Sequence, residues 1–169
     1  MKLIREIVLE DIPQTVTLVP RLAARAVVVD EQGRIPLLYV SRDEYYKLPG
    51  GGVDEGEDIF EALFRECLEE IGCEISVEGY LGSTVEKRTE HALLQTSHCY
   101  HGRALVKGTP SFRQKEVDEG FQIVWVPAED ALSLIHSSQP KNYSGPFIVA
   151  RDKVFIEAYL DRKKNKQVE

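Results

Sequence analysis

The stretch Leu48-Pro49-Gly50-Gly51-Gly52-Val53, running on through Asp54-Glu55-Gly56-Glu57-Asp58-Ile59 to Arg65-Glu66-Cys67-Leu68-Glu69-Glu70-Ile71-Gly72-Cys73, decides how the rest of the chain is read. Three glycines after a proline allow turn angles and close backbone approach that a bulky residue forbids, so the segment opens as a loop. The acids Asp54, Glu55, Glu57 and Asp58 suit the positive end of a helix, and Ile59 opens its apolar pattern. At about 100° per residue, Glu66, Glu69 and Glu70 fall at i, i+3 and i+4, within one turn on one stripe. Phe60, Leu63, Phe64, Cys67, Leu68 and Ile71 make an opposing apolar arc, expected to pack on a sheet and leave the three acids facing outward.

A Glu-rich helix face is ordinarily solvated surface. Here the glycine loop sits at a set distance from the acids, and the identities are too many to fall together by composition alone. Glu66 and Glu70 are a like-charged i,i+4 pair, unfavourable by roughly a few tenths of a kcal/mol in water and by more once desolvated. A divalent cation reverses that sign. Hard carboxylate oxygens, with no Cys or His at ligand spacing, argue for Mg²⁺, with Mn²⁺ as its substitute, over zinc. Arg65 lies beside Glu69 around the helix and can partly neutralise the cluster.

The pattern Gly51-x5-Glu57-x7-Arg65-Glu66-Cys67-x-Glu69-Glu70-x-Gly72-Cys73 resembles the Nudix box of the Nudix hydrolases, with every charged and glycine position present. Cys67 and Cys73 stand where the family usually places a bulky aliphatic; both remain apolar. The box covers 23 of 169 residues. The resemblance implies an α/β/α sandwich with a mixed central β-sheet, and attack of water on a phosphorus of a diphosphate bridge between a nucleoside and some group X. It implies Glu66, Glu69 and Glu70 as Mg²⁺ ligands, the Gly51 carbonyl as a further ligand, and an Arg65–Glu57 pair bracing loop and helix. The chemistry agrees: a pyrophosphate approaching carboxylates is repelled unless a dication bridges them.

The box leaves the general base open. Glu66 is the first candidate; Glu116 and Glu119, in the charged loop Lys115-Glu116-Val117-Asp118-Glu119-Gly120, are the alternatives. For the substrate pocket, Arg25, Lys47 and Arg88 suit phosphates, and Tyr45 and Tyr46 before the glycines suit stacking on a base. Markers of the ADP-ribose, dinucleoside polyphosphate and coenzyme A subfamilies are missing. By exclusion the expected substrate is a nucleoside triphosphate, or its oxidised form, giving monophosphate and pyrophosphate. ADP-ribose or a nucleotide sugar comes next, and a non-catalytic nucleotide sensor is disfavoured by the intact acids.

The bulk properties suit one small enzyme. With 169 residues and 43% apolar composition, residues 1–169 are expected to form a single domain, with a basic tail over 162–169 that frays. A net charge of −7 argues against polymeric nucleic acid and anionic membranes as partners, and leaves a small nucleotide. Three unpatterned cysteines and an N-terminus broken by charge suggest a reducing, cytoplasmic setting; a homodimer is left open. Strands are expected at about 22–29 and 35–41, joined as a hairpin by Asp30–Arg34, then near 74–86, 93–107 and 121–126. Helices follow near 128–136 and from about Ser144 to Arg162, with Pro146 in the first turn. His98 and His101 read as structural.

Overall fold

The computed structural model describes residues 2–166. In chain order the elements are strands β1 (Leu3–Ile7), β2 (Val19–Val29), β3 (Arg34–Val40), β4 (Tyr45–Lys47) and β5 (Gly50–Gly52), then helix α1 (Ile59–Ile71). Strands β6 (Cys73–Arg88) and β7 (Leu93–Lys107), the short helix α2 (Gln114–Asp118), strand β8 (Phe121–Pro127) and helices α3 (Ala128–Ser137) and α4 (Gly145–Lys166) complete it. A five-stranded mixed sheet runs β1-β6-β7-β2-β5, and a three-stranded antiparallel sheet runs β4-β3-β8. The expected α/β architecture with a mixed sheet is what forms.

Alternation along β2 divides the core. Ala24, Ala26 and Val28 pack against Leu63, Cys67 and Ile71 of α1, while Val27 faces a second cluster made with Leu37, Leu48, Ala131, Ile135, Phe155 and Ile156. The main sheet is thus covered by α1 on one side and by α4 on the other, while α3 packs on α4 and the three-stranded sheet. Asp58 caps α1, accepting from the Phe60 and Glu61 amides while Glu61 reciprocates, and Gly72 ends the helix in the left-handed conformation at φ 65°.

Several expectations change. Asp30–Arg34 does form a tight turn, with Gly33 N–H donating to Asp30 O at 3.0 Å, but β2 and β3 do not pair as a hairpin. β2 instead pairs with β7 along its length and with β5 at Ala23–Arg25, while β3 pairs with β4 and β8 in the second sheet. The glycine run is a strand rather than a loop: β5 lies antiparallel to β2, with Arg25 opposite Gly50. The charged 115–120 segment holds a short helix, α2. β1, parallel to β6, went unforeseen because charges interrupt its pattern. α4 continues through Lys166, past the expected end at Arg162; the remainder of the expected tail, 167–169, lies outside the described residues.

The Asp30 turn carries a measurable part of the stability. Its carboxylate accepts from the Gln32 and Arg34 amides and pairs with Arg34 Nε and Lys107 Nζ at 2.9 and 2.7 Å. Burial alone would raise this carboxyl, but Lys107 and Arg34 outweigh it and hold it down to about 2. A lowered folded-state value stabilises above the unfolded value of about 3.9 and is lost as pH falls through the folded one. Asp30→Asn should therefore lower unfolding free energy by about 1–2 kcal/mol at pH 7. Urea titrations should show the gap from wild type closing between about pH 4 and 2; a gap independent of pH would refute the ion-pair account.

Candidate active site

The buried face of α1 is rotated from the one expected. Phe60, Phe64 and Leu68 are exposed, whereas Glu66 and Glu70 are 6% and 1% exposed. The glycine strand explains the rotation, because β5 presents a backbone without side chains to this face. A Cβ on Gly51 would lie 2.1 Å from Glu66 Oε1, so only glycine lets that carboxylate settle against the strand. The Gly50 N–H donates to Glu70 Oε2 at 2.8 Å, and Lys47 Nζ donates to its Oε1 at 2.7 Å.

The three box glutamates do not converge. Glu66 and Glu70 point into one cavity, while Glu69 sits at its rim, 3.0 Å from Arg113 Nε and 3.5 Å from Arg65. Among the described residues, no three acidic, His or Cys side chains stand close enough together to enclose an ion. Cations take that place: Lys47 on Glu70, Arg65 on Glu66 at 2.8 Å, Arg113 on Glu69. The donor set nonetheless fits a hard dication, being all oxygen. Glu69 Oε2, shielded from solvent, has only its ion pairs with Arg113 and Arg65 and no aligned hydrogen bond, and the Glu66 carboxylate lies against the Gly51 backbone.

Arg65 and Glu57 form the expected brace. Arg65 Nε and Nη2 donate to the two Glu57 oxygens at 2.6 and 2.8 Å, and Nη2 also reaches Gly52 O at 3.1 Å, tying helix to strand. Hydrogen bonding to Arg65, joined by the Asp54 amide, holds the Glu57 carboxyl down to about 2.

The cavity holds about 340 Å³, within the usual range for a small-ligand site. Of the residues picked from sequence, Arg25, Tyr45, Lys47, Gly51, Glu66, Glu70, Arg88, Glu116 and Glu119 line it. Tyr46 is not brought there: its ring packs on Tyr39 at 4.7 Å and against the core, because it alternates with Tyr45 on β4. Glu119 pairs with Arg42 at 3.4 Å, while the Glu116 carboxylate caps α2 by accepting from Arg113 N–H at 2.7 Å.

Sequence reasoning missed Arg21, Gln95, Arg113, Lys115 and Arg151, which also line the cavity, and the buried acids Glu86 and Asp152 behind it. A signal existed for one of them: Phe147, Arg151 and Phe155 recur every four residues, which sets Arg151 on the buried stripe of α4. Burial, with Arg151 alongside, brings the Arg25 guanidinium down to about 10 against the pull of Asp152, Glu70 and Glu86, leaving it cationic at neutral pH.

The fold and box agree with what comparison finds. The model of the NUDIX domain matches residues 19–144. A stretch of 30 residues is 57% identical to the RNA pyrophosphohydrolase of Wolbachia pipientis subsp. Culex pipiens (strain wPip), spanning 18% of this chain and 18% of that relative. The NUDIX hydrolase from Nitrosomonas europaea superposes with a TM-score of 0.62 at 18% identity, over 85% of this chain and 90% of its own. The MutT protein from Methanosarcina mazei Go1 does so with 0.61 at 20% identity, over 87% and 96%. Box, sheet order and matched domain together place this chain in the NUDIX family.

Proposed function

We propose that the chain is a Mg²⁺-dependent pyrophosphohydrolase that cleaves the diphosphate linkage of a phosphate-rich nucleotide, a nucleoside triphosphate or its oxidised form, to monophosphate and pyrophosphate. The carrying observation is the charge of the cavity. Seven cations (Arg21, Arg25, Lys47, Arg88, Arg113, Lys115 and Arg151) line it against four acids (Glu66, Glu70, Glu116 and Glu119), within a protein of net charge −7. Such a concentration of positive charge suits several phosphates on one small molecule.

Glu66 and Glu70, with the Gly51 carbonyl and Glu69 from the rim, would hold the dication, which when bound supplies Lewis-acid stabilisation and a more acidic water. The residues of the chain do the rest. Glu57 locks Arg65, which orients Glu66 against the glycine strand. Lys47 and Arg113, each already on a box carboxylate, are placed to transfer to phosphate oxygens as the substrate arrives. Glu66 is assigned the proton of the attacking water, with Glu119 across the cavity as the competing base.

The test is hydrolysis with and without Mg²⁺ over nucleoside triphosphates and their 8-oxo forms, ADP-ribose, nucleotide sugars and a 5′-triphosphorylated oligonucleotide, with products identified by mass. Mg²⁺-dependent release of pyrophosphate, fastest from a triphosphate, is expected. Preference for ADP-ribose or a nucleotide sugar would overturn the substrate assignment, and silence across the panel by a folded protein would overturn the activity.

A further inference from the structure

Behind the box glutamates, on the α4 side of β2, the cavity floor carries three arginines, Arg25, Arg88 and Arg151, which are 6%, 6% and 1% exposed. Two buried acids answer them, and both are fully engaged. Glu86 Oε2 accepts from Arg88 Nη2 at 2.5 Å and Gln95 Nε2 at 3.1 Å, and Glu86 Oε1 from Arg151 Nη1 at 3.4 Å. Asp152 Oδ1 accepts from Arg151 Nε at 2.6 Å and its Oδ2 from the Leu48 amide at 2.8 Å. Four donors remain buried without a partner: Nε and Nη1 of Arg25, Nε of Arg88 and Nη2 of Arg151. Three cations against two anions leave one positive charge in excess.

A buried guanidinium with unmet donors is strongly unfavourable, and among the described residues no acid meets Arg25 Nε or Nη1; Glu70, which also acts on Arg25, is engaged by Lys47 and the Gly50 amide. The Glu86 and Asp152 contacts fix two of the forks in orientation, as a binding site requires and a filled core does not. The Cδ of Arg25 lies 3.0 Å from where a Cβ of Gly50 would stand, so this floor adjoins the strand that also meets Glu66 and Glu70. Arg151 belongs to α4, beyond residues 19–144 matched by the family model.

We propose that Arg25, Arg88 and Arg151 form an oxyanion subsite that receives a second phosphate of the substrate, beside the phosphate held at the box glutamates. The proposal deepens the functional reading and rests on it for the word substrate; the anion site itself does not. It selects molecules with a phosphoryl group beyond the cleaved bridge and disfavours those whose X ends in a neutral sugar.

The probe is inorganic phosphate, added without metal, followed by calorimetry and thermal melting. Wild type should bind phosphate and melt higher with it; sulfate should act similarly and acetate weakly. Arg25→Met should lose at least about tenfold in phosphate affinity, yet melt no lower than wild type in phosphate-free buffer, because it removes an unpaired buried charge. A structural role for Arg25 predicts the reverse, a lower melting point. Should Arg25→Met misfold, Arg88→Gln supplies the same binding test, since its Nε is one of the unmet donors. No phosphate binding by wild type, or undiminished binding by a folded variant, overturns the subsite. Arginine-dependent phosphate binding without hydrolysis of any phosphoanhydride would keep the subsite and reject the proposed activity; hydrolysis indifferent to Arg25 and Arg88 would do the opposite.

Discussion

Glu70→Gln should cut turnover by about a thousandfold at saturating Mg²⁺ while the protein stays folded. Glu70 is the most buried of the box acids, 1% exposed, with one oxygen on Lys47 and the other on the Gly50 amide. The amide of glutamine keeps the size and can still accept from Gly50, but it cannot serve as an anionic ligand. The loss of charge leaves Lys47 without its partner, at a cost of roughly 3 kcal/mol, against a typical domain stability of about 5–15. Lys47 is partly relieved, since its ammonium lies 4.9 Å above the Phe121 ring. Steady-state kinetics beside circular dichroism separate the two effects. A variant within about tenfold of wild-type turnover would remove Glu70 from the catalytic set.

The box made the site's identity legible, because charge and glycine spacing are local. Its geometry was not local. The apolar arc Phe60, Phe64 and Leu68 and the buried arc Ala62, Glu66 and Glu70 both have helical period, and periodicity alone does not say which face meets the sheet. That choice was made by β5, whose three glycines leave room for carboxylates where any side chain would have pushed them out. β4 and β5 are each three residues long, too short for alternation to register. The helices after Pro127 and Ser144 were readable because prolines mark both starts.

The same distinction separates the two halves of the cavity. The catalytic wall comes from one continuous segment, whereas the arginine floor is assembled from β2, β6, β7 and α4, residues more than one hundred positions apart in the chain. Thr84, Glu86 and Arg88 alternate on one face of β6, a polar run of the kind that usually faces solvent in an antiparallel sheet. It is inward because α4 covers it, and nothing in β6 itself announces that helix.

Glu86→Ala should be the most destabilising single change in the cavity. Glu86 is fully buried and joins Arg88, Arg151 and Gln95, so its loss strands the Arg88 guanidinium, leaves Arg151 with Asp152 alone and raises the excess charge of the floor from one to two. Breaking a buried ion pair by removing one partner costs about 3–5 kcal/mol, and here one acid serves two cations. For a chain of this size that corresponds to a melting point lower by about 10 °C or more. Because a bound anion stabilises the native state by an amount that grows with the logarithm of its affinity, inorganic phosphate should recover more of the melting point in Glu86→Ala than it adds to wild type. Melting curves at increasing phosphate decide the matter: a variant within about 2 °C of wild type would show that Glu86 is not the hub of the floor. A destabilised variant that phosphate fails to rescue would show that the arginines need Glu86 for packing and hold no ligand of their own.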